Sequence, residues 1–256
     1  MAPTLRPLHS APLDSIRAAA ALFARPQVLT LPMIVLFAII PGYLMIGAVV
    51  ADGVLHRPEL PLDRMLPLQP AWSLVYLSLF DAALLPVFVV HQQALIRRVV
   101  LAFLSIWLLA YACFLAWPTV APTPTVVPGS GFSVAVLRVI YDSDIAYNCF
   151  PSLHVAQCFV AAFACQRVHR GVGAVSLVWA VLVALSTLFT KQHYVVDVVG
   201  GIALAGLAHL LFLRGHARET IPEHERRLAP ILAAGAFLLY GIGLATAWLL
   251  FLVFAA

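Results

Sequence analysis

The sequence predicts an all-α fold, a bundle of seven helices that cross a membrane, and three observations predict it. Of its 256 residues, 63% are hydrophobic and only 10% are charged, with a mean hydropathy of +0.99. Water-soluble domains carry about 25% charged residues. Seven apolar stretches approach the roughly 20 residues that a helix needs to cross the hydrocarbon core. They leave no room for a separate soluble catalytic domain, so any active site must be built from helix ends and short loops.

The first predicted element is an amino-terminal segment, residues 1–30, which is too polar to span and contains an interfacial helix near residues 14–24. A signal peptide is the alternative interpretation of this end of the chain. However, the apolar run that follows, about 31–51, exceeds the usual apolar length of about 7 to 15 residues in signal peptides, and no Ala-x-Ala site follows it. We therefore predict an uncleaved first helix.

Six further spans follow, and the fourth of the seven is short, which is typical of a helix that begins below the membrane surface. The predicted spans cover residues 31–51, 71–90, 99–117, 152–166, 173–190, 195–213 and 230–254. The first six spans make up a catalytic membrane domain over 31–213. A linker over 214–229 then leads to the additional carboxyl-terminal span within 230–256.

The basic residues predict the orientation of the spans. Eleven of the fifteen Lys and Arg residues fall on the amino-terminal side, and the four on the other side are Arg57, Arg64, Arg138 and Lys191. By the positive-inside rule the amino terminus and the 214–229 linker are cytoplasmic. We expect a multi-pass protein of a cell membrane, a bacterial inner membrane, with membrane lipids as partners. No basic patch stands outside the short inter-helix segments, so no nucleic-acid partner is expected.

Two polar segments reach the outer side, which also receives a Pro- and Gly-rich connection over 118–151. Phe150–His154 opens the fourth span, and Lys191–Asp197 joins the fifth span to the sixth. The fourth span runs inward from His154 and the fifth returns outward, so His154 and His193 arrive at the same face. Long loops are often functional, and these segments predict an active site facing the periplasm or cell exterior.

Residue types in these segments indicate chemistry on a phosphate. His193 and Asp197 are four residues apart, so a helix places them on one face, where the carboxylate can hold one imidazole nitrogen as N–H. The other nitrogen is then a nucleophile or base. Pro151 suits a first helical turn, whose free N–H groups make an anion site beside Ser152 and His154. His193, His154 and Asp197 are the catalytic candidates.

Two histidines and a carboxylate can also bind a metal ion. The helix-start amides favour an anion instead, and the cation of Lys191 would repel a metal while it attracts phosphate. We therefore expect no metal and no cofactor. The four cysteines include no Cys-x-x-Cys pair, which indicates neither a zinc site nor a disulfide framework.

Polar and small residues inside the spans have structural interpretations. Asp81 in the second span is costly in a bilayer, and we expect it to pair with a polar group of a neighbouring helix or support the site from below. His209 in the sixth span is interpreted as an interhelical hydrogen-bond partner. Gly200, Gly201 and Gly206 are expected to permit close helix packing.

At its histidine motifs the sequence resembles the type 2 phosphatidic acid phosphatase superfamily, integral-membrane lipid phosphate phosphatases and phosphotransferases. The signature of that family is Lys-x6-Arg-Pro, Pro-Ser-Gly-His and Ser-Arg-x5-His-x3-Asp. Pro151–His154 matches the second part with Leu for Gly, and Ser186–Asp197 matches the third with Thr for Arg. The first part has no counterpart. The branch similar to inositol phosphorylceramide and sphingomyelin synthases also departs there and keeps both histidines and the aspartate.

The resemblance implies a six-helix phosphatase core to which the seventh span is added. It implies that His193, oriented by Asp197, attacks phosphorus to form a phosphohistidine while His154 protonates the leaving oxygen, without a metal. Because the first basic motif is missing, phosphate binding is expected to rest on backbone amides and on Lys191, Arg138 and Ser152.

Three functions follow as hypotheses. The first is a phosphatase whose substrate is a lipid phosphate or diphosphate, with phosphatidate, polyprenyl diphosphate and phosphosphingolipid all open. The second is a transferase that passes a phosphorylated headgroup between lipids. The third is a non-catalytic transporter or lipid-binding protein, which would distribute its polar residues along a path across the bilayer. The polar residues cluster at one face here, which favours the first two.

Overall fold

A computed structural model describes residues 41–144 and 146–254. The interfacial helix predicted near residues 14–24 and the beginning of the first span lie outside the described residues. Within the described ranges the chain is helical and forms no β-strand. Two isolated bridges, His56 to Thr119 and Thr119 to Asn148, tie the outer connections together. The predicted all-α bundle is confirmed.

The described part of the chain forms ten α-helices. In chain order they are α1 Pro41–Val50, α2 Pro61–Met65, α3 Trp72–Leu77, α4 Leu79–Val89, α5 Gln93–Ala116, α6 Phe132–Ser143, α7 Leu153–Val168, α8 Arg170–Phe189, α9 Val195–Ala208 and α10 Glu223–Phe254. A π-helical turn, His209–Leu213, continues α9, and a short 3₁₀ turn, Arg218–Thr220, precedes α10.

Within the described residues, five helical stretches are long and apolar enough to cross a membrane: Trp72–Val89 (α3 with α4), Gln93–Ala116, Arg170–Phe189, Val195–Leu213 (α9 with its π-helical turn) and Glu223–Phe254. The described part of α1 and the shorter apolar helix α7 lie where the first and fourth spans are predicted. Two helices begin earlier than expected, α5 at Gln93 and α10 at Glu223. Hydropathy marks only the lipid-facing part of a helix, whereas Arg, Glu and Gln continue it into the interface because they are good helix formers.

The connection predicted over 118–151 contains a helix, α6, that the sequence analysis missed. Val134, Leu137 and Ile140 are its buried residues, and their spacing places them on one face. This face is too short and too interrupted by polar residues to register as a span. The buried stripe packs the helix against α3, and Arg138 stands on the exposed side.

Helix α7 lies at the centre of the bundle, where it packs against α4, α5, α8 and α9. Its buried side chains surround the helix rather than forming a stripe, and many of them are alanines, which let neighbouring helices approach closely. The short fourth span is therefore a central helix, and its first turn lies inside the bundle. This arrangement positions His154.

Glycines at the start of α9 permit its close approach to α7. A Cβ atom at Gly201 would lie 2.5 Å from the backbone oxygen of Ser152, and one at Gly200 would lie 2.7 Å from the ring of Phe150. The packing role predicted for these two glycines is confirmed. The same prediction for Gly206 is wrong, because a Cβ there would meet no atom within 4 Å.

Candidate active site

The residues of the site come from the amino-terminal ends of α7 and α9 and from the turn before α9. Ser152 is the N-cap of α7, and its Oγ accepts a hydrogen bond from Val155 N at 3.3 Å. This cap places His154 in the first helical turn. The backbone N–H of Ser152 donates to Asp197 O at 3.0 Å, which joins the start of α7 to the start of α9.

Asp197, His193 and His154 form a hydrogen-bonded series. His193 Nδ1 lies 3.4 Å from Asp197 Oδ2, and His193 Nε2 lies 3.1 Å from His154 Nδ1. A carboxylate accepts hydrogen bonds, which assigns the proton of His193 to Nδ1 and a lone pair to Nε2. His154 Nδ1–H then donates to that lone pair. The series therefore sets a basic ring nitrogen and a proton donor 3.1 Å apart.

This series is buried, since the side chains of His193 and Asp197 are 4% and 0% exposed. Asp197 is further fixed by Tyr194 N, which donates to its Oδ2 at 2.8 Å and closes the first turn of α9. The lone pair of His193 Nε2 is occupied by this contact at 3.1 Å. Any group that bonds to Nε2 must therefore first separate the two imidazoles.

Lys191 lies in the turn between α8 and α9, and its ammonium group points at backbone carbonyls. Its Nζ donates to Asp63 O at 3.0 Å and to Leu66 O at 2.6 Å. Its own backbone has a φ of 55°, a left-handed conformation that non-glycine residues rarely adopt. The ammonium thus holds a strained turn two residues before His193.

Asp63 of α2 strengthens the same attachment. Its buried carboxylate accepts from Val195 N at 2.8 Å through Oδ1 and from Leu60 N at 2.7 Å through Oδ2. Val195 is the first residue of α9, so Asp63 caps that helix from a distant part of the chain. We name residues 60–66 the clamp segment, because they hold both ends of the turn that carries His193.

We expect Lys191→Met to lower kcat by about 100-fold with a smaller rise in KM, because a small displacement of His193 affects attack more than binding. Steady-state kinetics on the purified protein measure both constants. Arg64→Met is the matched control, since Arg64 lies in the clamp segment but pairs only with Glu59 at the surface. A rise in KM at constant kcat would instead show that the ammonium binds substrate uniformly.

The six sequence-predicted site residues are not all brought together. His154, His193, Asp197 and Ser152 meet at the start of α7 and α9, with Lys191 holding the adjoining turn. Arg138 is an exception: its Nη2 donates to Val127 O at 2.9 Å and Gly129 O at 3.0 Å, and not to either histidine.

Three polar residues beside His154 were not found from the sequence. The Tyr76 ring lies edge-on to the ring of His154 with centroids 5.5 Å apart, and its hydroxyl donates to Asp144 Oδ2 at 3.1 Å. Tyr43 donates to Asp144 Oδ1 at 3.3 Å. These residues belong to α3, α1 and the end of the 118–151 connection. No short sequence spacing links the three residues. The sequence did offer one signal, the acidic residue Asp144 near the end of the 118–151 connection.

Cys149 lies beside the site but its thiol is not suited to attack. Burial raises the pKa of Cys149 well above its usual value, and the carboxylates of Asp197 and Asp144 raise it further. Only a thiolate is a strong nucleophile, so Cys149 stays inert at neutral pH. Over residues 41–144 and 146–254, no group of three His, Cys, Asp or Glu side chains is arranged to hold a metal ion.

The family model described as the PAP2 superfamily matches residues 59–211, which include the clamp segment and both histidines but not α10. A PA-phosphatase related-family protein of Dictyostelium discoideum is 23% identical over 118 residues, 42% of this chain and 21% of the relative. The chain thus spans about a fifth of that relative's length. No solved structure matches.

Proposed function

The chain belongs to the PAP2 superfamily, and from this premise we propose that it is a phosphatase of lipid phosphates or lipid diphosphates. Family membership and the apolar helices indicate a membrane enzyme of the phosphatase type. The observation that carries the finer proposal is the Asp197–His193–His154 series, which combines an oriented nucleophile with a proton donor 3.1 Å away.

In the first proposed step, Nε2 of His193 attacks phosphorus and the bond from phosphorus to the ester oxygen breaks. His154, which enters this step as the imidazolium with both nitrogens protonated, gives one proton to that oxygen, so the alcohol leaves neutral, His154 becomes a neutral imidazole and a phosphohistidine remains. In the second step, His154 takes a proton from water, the water oxygen bonds to phosphorus, and the P–N bond breaks. Asp197 keeps the Nδ1–H of His193 in place throughout and stabilises the positive charge that develops on the ring.

The phosphoryl oxygens would be held by hydrogen-bond donors at the start of α7 and by Lys191. Ser152 Oγ takes the N–H of Val155, which leaves the N–H groups of Leu153 and His154 to face the anion. The ammonium of Lys191 has a third N–H beyond the two that donate to carbonyls. We propose these groups as the phosphate site, with Arg138 contributing only if its guanidinium leaves the carbonyls of Val127 and Gly129.

A second candidate is transfer of a phosphorylated headgroup to a lipid hydroxyl, and the burial of the site favours it. Phe150 precedes the site and packs against Trp117 with ring centroids 5.2 Å apart, and Leu153 and Tyr194 are buried. Apolar surroundings of this kind exclude water from a reactive intermediate. The same phosphohistidine serves both reactions, so motif resemblance does not choose between them.

We further propose that the histidine pair faces the periplasm or cell exterior and that the amino terminus is cytoplasmic. This orientation rests on eleven basic residues against four. Phosphorylated lipid would reach the site from the outer leaflet. We propose that the reaction needs neither a metal nor a cofactor.

The proposal is tested with purified protein and a panel of labelled lipids: a phosphatidate, a polyprenyl diphosphate and a phosphosphingolipid, each with and without a chelator. We expect release of inorganic phosphate that the chelator leaves unchanged. The His193→Ala variant, assayed in parallel, measures the background release of phosphate. Activity that the chelator abolishes would contradict the metal-free mechanism, and lack of turnover on all three lipids would contradict the substrate class.

The same experiment separates hydrolysis from transfer when a hydroxyl-bearing lipid acceptor is added. We expect free phosphate at an unchanged rate, because water is abundant at a membrane interface. Label on the acceptor, with negligible free phosphate, would show that the protein is a transferase and would contradict hydrolysis.

A further inference from the structure

The end of the bundle opposite the histidine pair carries a cluster of arginines. Helix α7 runs from His154 to Arg167, a distance of about 20 Å at 1.5 Å per residue. Arg98 of α5 and Arg167 both act electrostatically on His216, and Arg167 and Arg214 both act on His209, so the three arginines lie around the turn that follows α9. Arg98 Nη1 donates to Phe212 O at 3.0 Å, and Arg167 Nη1 donates to Arg214 O at 3.4 Å. We name Arg98, Arg167 and Arg214 the arginine cluster.

Helix capping explains only part of this cluster. Each of the two bonds satisfies a carbonyl at the end of α9 and the turn His209–Leu213, as cations commonly do at a helix carboxyl end. A guanidinium has five N–H donors, however. Arg167 uses one more toward His209 Nε2 at 3.4 Å, the interhelical contact predicted for that histidine, and its Nε is buried with no acceptor among the described residues. The guanidinium of Arg214 makes no hydrogen bond within this part of the chain.

The ion pair described on this side of the bundle joins Arg227 to Glu223 and does not involve the arginine cluster. His216 is buried beside the cluster, and burial lowers its pKa, with Arg98 and Arg167 lowering it further. Its neutral ring adds no compensating charge. Like charges held together in this way stabilise a bound anion.

We propose that the arginine cluster binds the phosphate group of an anionic phospholipid in the leaflet opposite the histidine pair. Leu210 and Leu211 in the same turn are 56% and 61% exposed, which provides apolar surface for acyl chains directly beside the cluster. A basic pocket between helix ends is the type of site that binds anionic headgroups in membrane proteins. The proposal is independent of the reaction at the histidines.

The test is binding of phosphatidylglycerol to the purified full chain in neutral detergent, measured by native mass spectrometry and by the thermal unfolding midpoint. One cation near a membrane surface contributes about 1 kcal/mol, so we expect Arg214→Gln to weaken binding about fivefold. The double variant Arg98→Gln/Arg167→Gln should weaken it about thirtyfold on the same basis. Arg227→Gln, whose charge is already paired on the same side, should leave binding unchanged.

Arg214→Gln removes no helix cap, so it tests the site even where the double variant does not fold. Equal binding by wild type and Arg214→Gln would overturn the proposal, as would equal loss in Arg227→Gln. Phosphatidylcholine should not displace phosphatidylglycerol from the arginine cluster. Inorganic phosphate that displaces the lipid at comparable concentration would show a free-anion site and overturn the assignment to a lipid.

Discussion

His193→Ala is expected to lose activity by about four orders of magnitude, the typical effect of removing a nucleophile from a set of residues that act together. No labelled phosphoenzyme should be trapped in this variant, because in the proposed mechanism Nε2 of His193 is the atom that bonds to phosphorus. Quenched-flow trapping with labelled lipid measures both quantities. Trapped phosphoenzyme in His193→Ala would contradict its role as nucleophile.

His154→Ala should behave differently although the two rings are 3.1 Å apart. It removes only the proton donor, so turnover should fall by about 100-fold to 10,000-fold with a poor leaving group and much less with a good one. His56→Ala is the matched control. His56 is an exposed outer histidine whose ring lies against Trp117, and it contacts neither catalytic ring.

Gly201→Ala is expected to have the second large effect, although glycine to alanine usually favours a helix. The added Cβ would lie 2.5 Å from Ser152 O, a backbone atom of the turn that holds His154. Overpacking of this kind costs about 1 to 3 kcal/mol of stability, and relief of the clash moves α7 away from α9. We expect a lower unfolding midpoint together with a loss of most phosphatase activity.

Gly206→Ala, in the same helix, is the control for this substitution. Nothing lies within 4 Å of a Cβ there, so helix propensity should stabilise the protein by up to about 1 kcal/mol. Thermal unfolding and activity of the two variants, measured side by side, check the prediction. Full activity in Gly201→Ala would show that the starts of α7 and α9 can separate without harm.

The helices and the meeting of the candidate catalytic residues were predictable because their signals are local. Apolar length marks a span, and the spacing of four between His193 and Asp197 places both on one turn. Even the meeting of His154 with His193 follows from the direction of two consecutive spans. Helix ends at the interface were less predictable, because Arg98 or Glu223 continues a helix past the hydrocarbon core.

The contacts that position the site could not be predicted in this way. Asp63 caps α9 across 132 residues, and Tyr76 reaches Asp144 across 68 residues. Such pairs depend on how the helices pack in three dimensions, and no periodic pattern in a single sequence indicates them. The function of Lys191 as an anchor depended on the carbonyls of the clamp segment, which have no side-chain signature.

The clamp segment limits how small a fragment can be and still hold the candidate site. The three candidate catalytic residues lie within residues 100–212, so a fragment with these bounds holds every recognised motif. It lacks Asp63 and the carbonyls of Asp63 and Leu66, so the amino end of α9 and the ammonium of Lys191 lose their partners. We therefore expect that the motif region is not an autonomous catalytic unit, and a truncation intended to isolate it must begin before residue 60.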